Sequence, residues 1–244
     1  MKSWFSPSGG LAYHLKARKN RNSLWLPFTK KLNDFAEEWI KSIPHPEQKT
    51  LLLFGGSGGH TLTTSFLSKF QKVIHIDKDP LAKFFFRRRH HLSNIEFINE
   101  NIFDKDLHIK EKFLAAHPPH STVILWSNLL GQIGFYFDAP SVKALLSHIH
   151  RSMRAYSWMS FHDVYSVTPL KIREEWMKRG FSCPEEVPPF LFENLQKKSV
   201  VIDHLTQKNF DFERSLVLTW ALDRKSLHFV ECGCSPPSST NSKK

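Results

Sequence analysis

The chain has only three cysteines in 244 residues, Cys183, Cys232 and Cys234. Three leaves no even set for a disulfide framework and points to a reducing compartment. Cys232 and Cys234 stand one residue apart, but a structural zinc site takes about four N/S ligands, so no metal is expected. No apolar run approaches the roughly 18 residues of a spanning helix. The first ten residues also lack the apolar stretch of a secretory signal. A cytoplasmic protein without a transmembrane segment is therefore expected. Acids are scarce beside bases, 23 against 34, and the net charge of +11 favours RNA or another anion as partner while saying nothing of fold. Glycine is scarce too, ten in all, yet four of the ten fall within residues 55–59. That concentration is the first positive signal.

Residues 1–31 carry seven Lys or Arg and no acid, interleaved with Trp4, Phe5, Tyr13, Trp25 and Phe28, a pattern that suits RNA or another anion. After Pro27 the spacing of Phe28, Leu32, Phe35, Ala36, Trp39, Ile40 and Ile43 predicts an amphipathic helix, stopped by Pro44 and Pro46. From residue 49 short apolar runs at 51–54, 73–76, 95–98, 122–126 and 158–161 read as strands. Between them lie helical patterns at about 60–70, 80–91, 106–116 and 140–153. Strands with so little alternation are buried on both faces, which means a parallel sheet flanked by helices. The expected fold is therefore α/β, a doubly wound, Rossmann-like sheet. A further helix is expected at 169–179, ending at Gly180. Pro184, Pro188 and Pro189 make 183–199 read as irregular, an insertion or lid. Runs at 200–205, 216–222 and 227–230 close the sheet with antiparallel strands. The expected organisation is a basic helical extension over 1–48, an α/β domain over 49–232, and a disordered tail over 233–244.

The run Leu51-Leu52-Leu53-Phe54-Gly55-Gly56-Ser57-Gly58-Gly59-His60 passes from a buried strand toward a helix. Glycines there admit close approach of a ligand, and a helix N-terminus adds a positive dipole. Asp77 follows 18 residues after Gly59, at the tip of the second strand, where a carboxylate can accept hydrogen bonds from a ribose diol. With these residues in place the chain resembles the class I S-adenosylmethionine-dependent methyltransferases over about 49–165. The segment Asp77-Lys78-Asp79-Pro80 is similar to their second-strand terminus. Asn99-Glu100-Asn101-Ile102 is similar to the segment near the adenine, with Asn101 where the family usually has Asp. Trp126-Ser127-Asn128 is similar to their fourth strand leading to the catalytic edge. The resemblance implies S-adenosylmethionine as cofactor, held by Phe54, Gly55, Gly56, Ser57, Gly58, Gly59, Asp77, Lys78, Asn101, Ile102 and Ser127. The sequence departs from the family at Leu53, where an acid is usual, at Ser57, where glycine is usual, and in lacking an Asn/Asp-Pro-Pro-aromatic motif after Trp126.

Methyl transfer mainly requires alignment, exclusion of water and at times a proton acceptor. At the carboxyl ends of the fourth and fifth strands Asn128, His162 and Asp163 are the candidate catalytic residues. His162 would be the base, its ordinary pKa lying near neutrality. The acceptor is expected to be an anionic or nucleic-acid substrate. Two alternatives stand beside this reading. One is a non-catalytic, methyltransferase-like nucleic-acid or ligand-binding protein, suggested by Leu53 and Ser57. The other is an NAD(P)-binding oxidoreductase, for which Thr61 occupies the place of the third glycine.

Overall fold

In the computed structural model, which describes residues 10–103, 109–168, 171–195 and 198–237, the chain opens with α1 (Gly10–Asn20) and α2 (Leu26–Lys41). The alternating section runs β1 (Thr50–Phe54), α3 (Thr64–Leu67), β2 (Lys72–Ile76), α4 (Ala82–Arg89), β3 (Ile95–Ile98), α5 (Glu111–Ala115), β4 (Thr122–Ser127), α6 (Ala139–Met153) and β5 (Ser157–Thr168). It closes with α7 (Glu174–Met177), β6 (Gly180–Phe181), α8 (Val187–Asn194), β7 (Val200–Asp203), β8 (Arg214–Ala221) and β9 (Leu227–Ser235).

One sheet takes the order β3-β2-β1-β4-β5-β9-β8-β6. The first five neighbours pair in parallel, while β9 runs antiparallel to both β5 and β8. This is the doubly wound order, and its direction of winding reverses between β1 and β4. At such a reversal the loops leaving the two strands part, and ligands of doubly wound sheets bind beyond the strands' carboxyl ends. The antiparallel closure is the one the family resemblance implies. Strand β5 outruns β4, and its far half, from Tyr165 to Thr168, pairs instead with β7.

Side chains alternate along each strand, so every strand feeds two cores. Leu51, Leu53, Val123, Leu125, Met159 and Phe161 point to the face covered by α2. Leu52, Phe54, Ile124 and Trp126 point to the face covered by α6. Trp25 is fully buried, meets Trp220 edge-on with ring centroids 4.9 Å apart, and its Nε1 donates to the Leu222 carbonyl at 3.0 Å. Phe28 stacks on the same Trp220 at 4.9 Å. Both N-terminal helices thus pack into the sheet's own core.

Several boundaries differ from those read in the sequence. The helix expected at 60–70 forms only at Thr64–Leu67, capped by the Thr63 hydroxyl, because the Asn33 side chain of α2 ties down Thr61 and Thr63 first. Pro188 and Pro189 do not leave 183–199 irregular. They occupy the first turn of α8, where proline's missing N–H has no partner to lose. Gly180 opens a short strand rather than ending a helix, and the helix expected at 169–179 is confined to Glu174–Met177. Gly233–Ser235, expected in the tail, complete β9 through pairing with Trp158–Ser160. Expected structure at 106–108, 169–170 and 238–244 lies outside the described residues.

Replacing Trp25 by Ala removes a fully buried ring and a buried donor. We expect stability to fall by about 3–5 kcal/mol, seen as a lower urea midpoint at unchanged slope. An unshifted midpoint would show that the N-terminal helices lie on the fold without supporting it.

Candidate functional site

Gly55, Ser57 and Gly59 have positive φ, at 72°, 46° and 65°. For serine the left-handed region is disfavoured, so something must hold it. The Ser57 N–H donates to Asp77 Oδ2 at 2.8 Å, and the Asp79 N–H donates to Asp77 Oδ1 at 2.8 Å. Asp77 therefore clamps the turn after β1 to the tip of β2. Burial pushes its carboxyl above the usual range, and the two backbone N–H bonds offset this only in part. A partly enclosed carboxylate whose charge is disfavoured makes Asp77 a candidate site residue.

The loop glycines serve the protein's own rings as much as any ligand. A Cβ on Gly56 would strike His75, one on Gly58 would strike His60 and His14, and one on Gly59 would strike His90. Only Gly55 and Ser57 of the five keep partial exposure. Burial lowers the His60 and His75 pKa to about 3 and that of His90 to about 4, so all three stay neutral under the loop. His90 Nε2 donates to the Gly59 carbonyl at 3.1 Å, which also accepts from Arg89 Nε at 2.9 Å. Above the loop, α1 adds a chain of contacts: His14 bonds Asp79 Oδ2 at 3.0 Å and His60 Nε2 at 3.1 Å. Three polar atoms against the loop, Ser57 Oγ, His60 Nδ1 and His75 Nε2, are buried with no hydrogen-bond partner among the described residues.

Across the crevice, a Cβ on Gly55 would meet Leu129 Cβ and the Ser127 carbonyl, which places the turn after β4 against the turn after β1. Asn128, at φ 50°, locks that turn to β5: its N–H donates to the Phe161 carbonyl at 2.7 Å, and its side chain exchanges bonds with the Asp163 backbone N–H and carboxylate at 3.1 and 3.3 Å. Asp163 Oδ1 accepts from His228 Nδ1 on β9 at 3.1 Å. Burial alone would raise the Asp163 carboxyl, but the charges of His228 and His204 and the bonds from His228 and Asn128 hold it below the usual carboxylate range. Tyr13 of α1 marks the space between these walls. Burial, then the fields of Asp77, Asp163 and Asp79, push its phenol pKa upward. The acids that follow β2 and Asp163 of β5 therefore all lie within electrostatic reach of Tyr13 beneath α1.

Ser127, Asn128, Asp163, Asp77 and the glycine turn are brought together on the α1–α2 face. His162 is not. It lies one residue from Asp163 on a strand and so points to the opposite face, against Phe210 and Phe212, bonded to Ser160 at 2.9 Å and 3.5 Å from Glu231. Phe54 gives the site only its backbone, its ring lying 4.5 Å from Trp126 in the other core. Ile102 is buried in that same core, whereas Asn101 is exposed and accepts weakly from the Phe103 N–H at 3.4 Å. Lys78 is exposed with its Nζ 5.0 Å from the centre of the Tyr136 ring. Tyr13, His14, His75 and His228 stand with these residues; the sequence offers Tyr13 only as an aromatic of the basic segment, and nothing in it aims the three histidines here, since each lies far along the chain or inside an apolar run. Two shallow grooves, one beside Trp176 and Phe190 and one beside Phe35 and Arg214, include none of these residues.

The neutral histidines fix a direction of pH dependence. Their folded pKa values lie below the unfolded value near 6.5, so below pH 6.5 the unfolded chain binds more protons and stability falls with pH. Each contributes up to about 1.4 kcal/mol per pH unit, over a window from 6.5 down to about 3 for His60 and His75 and about 4 for His90. We expect the melting temperature to drop steeply from pH 6.5 to 4 and the slope to flatten in His75→Gln. Equal slopes would mean that His75 does not titrate on unfolding.

No family model matches the chain, and no curated protein matches it. Solved structures similar to it include a Listeria monocytogenes protein assigned provisionally as an S-adenosylmethionine-dependent methyltransferase, at 14% identity and a TM-score of 0.42, covering 82% of this chain and 97% of that one. Another is DhpI in complex with SAH, at 12% identity and a TM-score of 0.42, covering 92% and 94%. A third is the N-methyltransferase NodS of Bradyrhizobium japonicum with S-adenosyl-L-homocysteine, at 10% identity and a TM-score of 0.38, covering 82% and 88%.

Proposed function

We propose that the protein binds S-adenosylmethionine at the crevice between β1 and β4 and transfers its methyl group to a protic acceptor. The single observation that carries this reading is the clamp of Asp77 on the Ser57 N–H. It joins a left-handed, glycine-built turn to a partly buried acid at the reversal point of a doubly wound sheet. The orphaned Ser57 Oγ, His60 Nδ1 and His75 Nε2 around that turn suit a polar ligand that would satisfy them. Asp77 would hold the ribose diol, Gly55 and Ser57 would lie along the cofactor, and Ser127 would flank it. Leu53, where an acid is usual, turns instead into the core beneath Gly56. The cofactor, when bound, supplies an electrophilic methyl group on a sulfonium.

The chain's own contribution is alignment and proton transfer. Asp163 holds the His228 ring through Nδ1, and Nε2 of that ring has no hydrogen bond among the described residues. His228 is thereby a candidate base for a hydroxyl or amine, with Asp163 and Asn128 as positioning residues. It replaces His162 in that role. Tyr13, from α1, closes the same volume against water.

Calorimetry with S-adenosylmethionine and S-adenosylhomocysteine tests the proposal. We expect binding of both, weakened about 10- to 200-fold in Asp77→Ala as charge-assisted hydrogen bonds of about 1.5–3 kcal/mol are lost. His228→Ala should leave both affinities within about twofold and lower labelled-methyl transfer into cell-extract fractions by about 10²–10⁴. No heat with either ligand would leave the alternative, a non-catalytic protein of similar fold.

A further inference from the structure

Helices α1 and α4 lie side by side over the glycine turn, with His14 of one stacked on Phe85 of the other at a centroid distance of 4.1 Å. Neither helix contains an acid. Arg18, Lys19, Lys83 and Arg88 are exposed on the pair, and none has a carboxylate within ion-pair distance among the described residues. The dipole of α4 accounts for basic residues in its last turn, but not for what happens between the helices. Arg21, one residue beyond α1, and Arg89, at the end of α4, are both partly withdrawn from water. Arg89 lies within the field of Arg21, and among the described residues no acid pairs with either. Arg89 uses Nε and Nη2 on the Gly59 and Leu62 carbonyls, whereas Arg21 Nε is buried with no partner among the described residues. His60, 5% exposed, also lies within the field of both guanidiniums. Like charges drawn together out of water are unfavourable unless an anion joins them. Guanidinium pairs match the oxygens of phosphate.

We propose that Arg21 and Arg89, flanked by Arg18, Lys19 and Arg88, form a phosphate-binding site that seats the backbone of a single-stranded nucleic acid against α1 and α4. A lone phosphate would need only the central pair, while the exposed cations continue along both helices. Aromatic rings also stand exposed at the carboxyl edge. Phe84, on α4 itself, is 58% exposed, and Phe135, past the end of β4, is 55% exposed. Such rings stack on unpaired bases and not on those of a closed duplex. The surface does not depend on methyl transfer, so its test is run without S-adenosylmethionine, and its failure would leave the cofactor proposal standing.

The test is fluorescence anisotropy of the full chain with a labelled oligouridylate of about 15 nucleotides, between about 50 and 200 mM salt. Each phosphate contact should contribute about 0.7 to the slope of log affinity against log salt. Arg21→Ala should weaken binding several-fold and flatten the slope by about one contact, with the melting temperature retained. Arg88→Ala, on an exposed side chain, should do the same, and it keeps the test alive should Arg21→Ala misfold. Unchanged affinity and slope in both variants would overturn the proposal. So would inorganic phosphate competing as well, phosphate for phosphate, as the oligonucleotide does. A duplex of the same sequence binding more tightly than the single strand would also overturn it.

Discussion

The Asp77 carboxylate is the joint on which the carboxyl edge of the sheet depends. Each of its oxygens accepts a backbone N–H, one from Ser57 in the turn after β1 and one from Asp79 in the turn after β2. The first bond holds serine in a left-handed conformation that its side chain disfavours. With the turn so fixed, Gly56, Gly58 and Gly59 present no Cβ to His75, His14, His60 and His90, and the rings close against the backbone. Asp79, positioned by the same contact, accepts from His14 and from the Gly10 N–H, which seats α1 over the turn. A carboxylate, a strained turn, a bed of neutral imidazoles and a covering helix therefore form one connected arrangement.

That arrangement gives the N-terminal basic segment a structural place. Trp25 and Phe28 anchor it on Trp220, and Tyr13 and His14 reach from the anchor to the acids of β2 and β5. The same helix that walls the crevice leaves Arg18 and Lys19 facing water. Charge on the outside and aromatic closure on the inside thus come from opposite sides of one short helix. Across the crevice, Asn128 plays the part that Asp77 plays on the near side. Its left-handed backbone and amide fix Asp163, which in turn orients His228.

The parallel core was legible because its signal is local. Leu51-Leu52-Leu53-Phe54 and Val123-Ile124-Leu125-Trp126 are apolar on both faces, and only a strand between two helical layers buries both. The glycine turn and Asp77 were legible for a similar reason, since turn residues at a fixed spacing follow a strand. What was not legible depends on partners distant in sequence. His162 and Asp163 are indistinguishable as neighbours until the pleat sends one to Phe210 and the other to His228. Leu62 and Thr63 read as helix because nothing nearby announces Asn33, whose amide holds Thr61 and Thr63 in the loop instead. Pro188 and Pro189 read as breakers because proline's tolerance for a helix's first turn depends on where that turn begins. The length of β5 was hidden because its second half is paired by β7 on one side and β9 on the other, both distant in sequence.

The central claim is that the Ser57 turn and Asp77 together receive the adenosine portion of S-adenosylmethionine. A crystal structure grown with S-adenosylhomocysteine tests it most directly. We expect ligand density in the crevice between β1 and β4, with the ribose hydroxyls within hydrogen-bonding distance of the Asp77 carboxylate and Tyr13 closing over the sulfur end. Density elsewhere, or a crevice filled by Tyr13 and its neighbours in crystals that bind the ligand at another place, would contradict it.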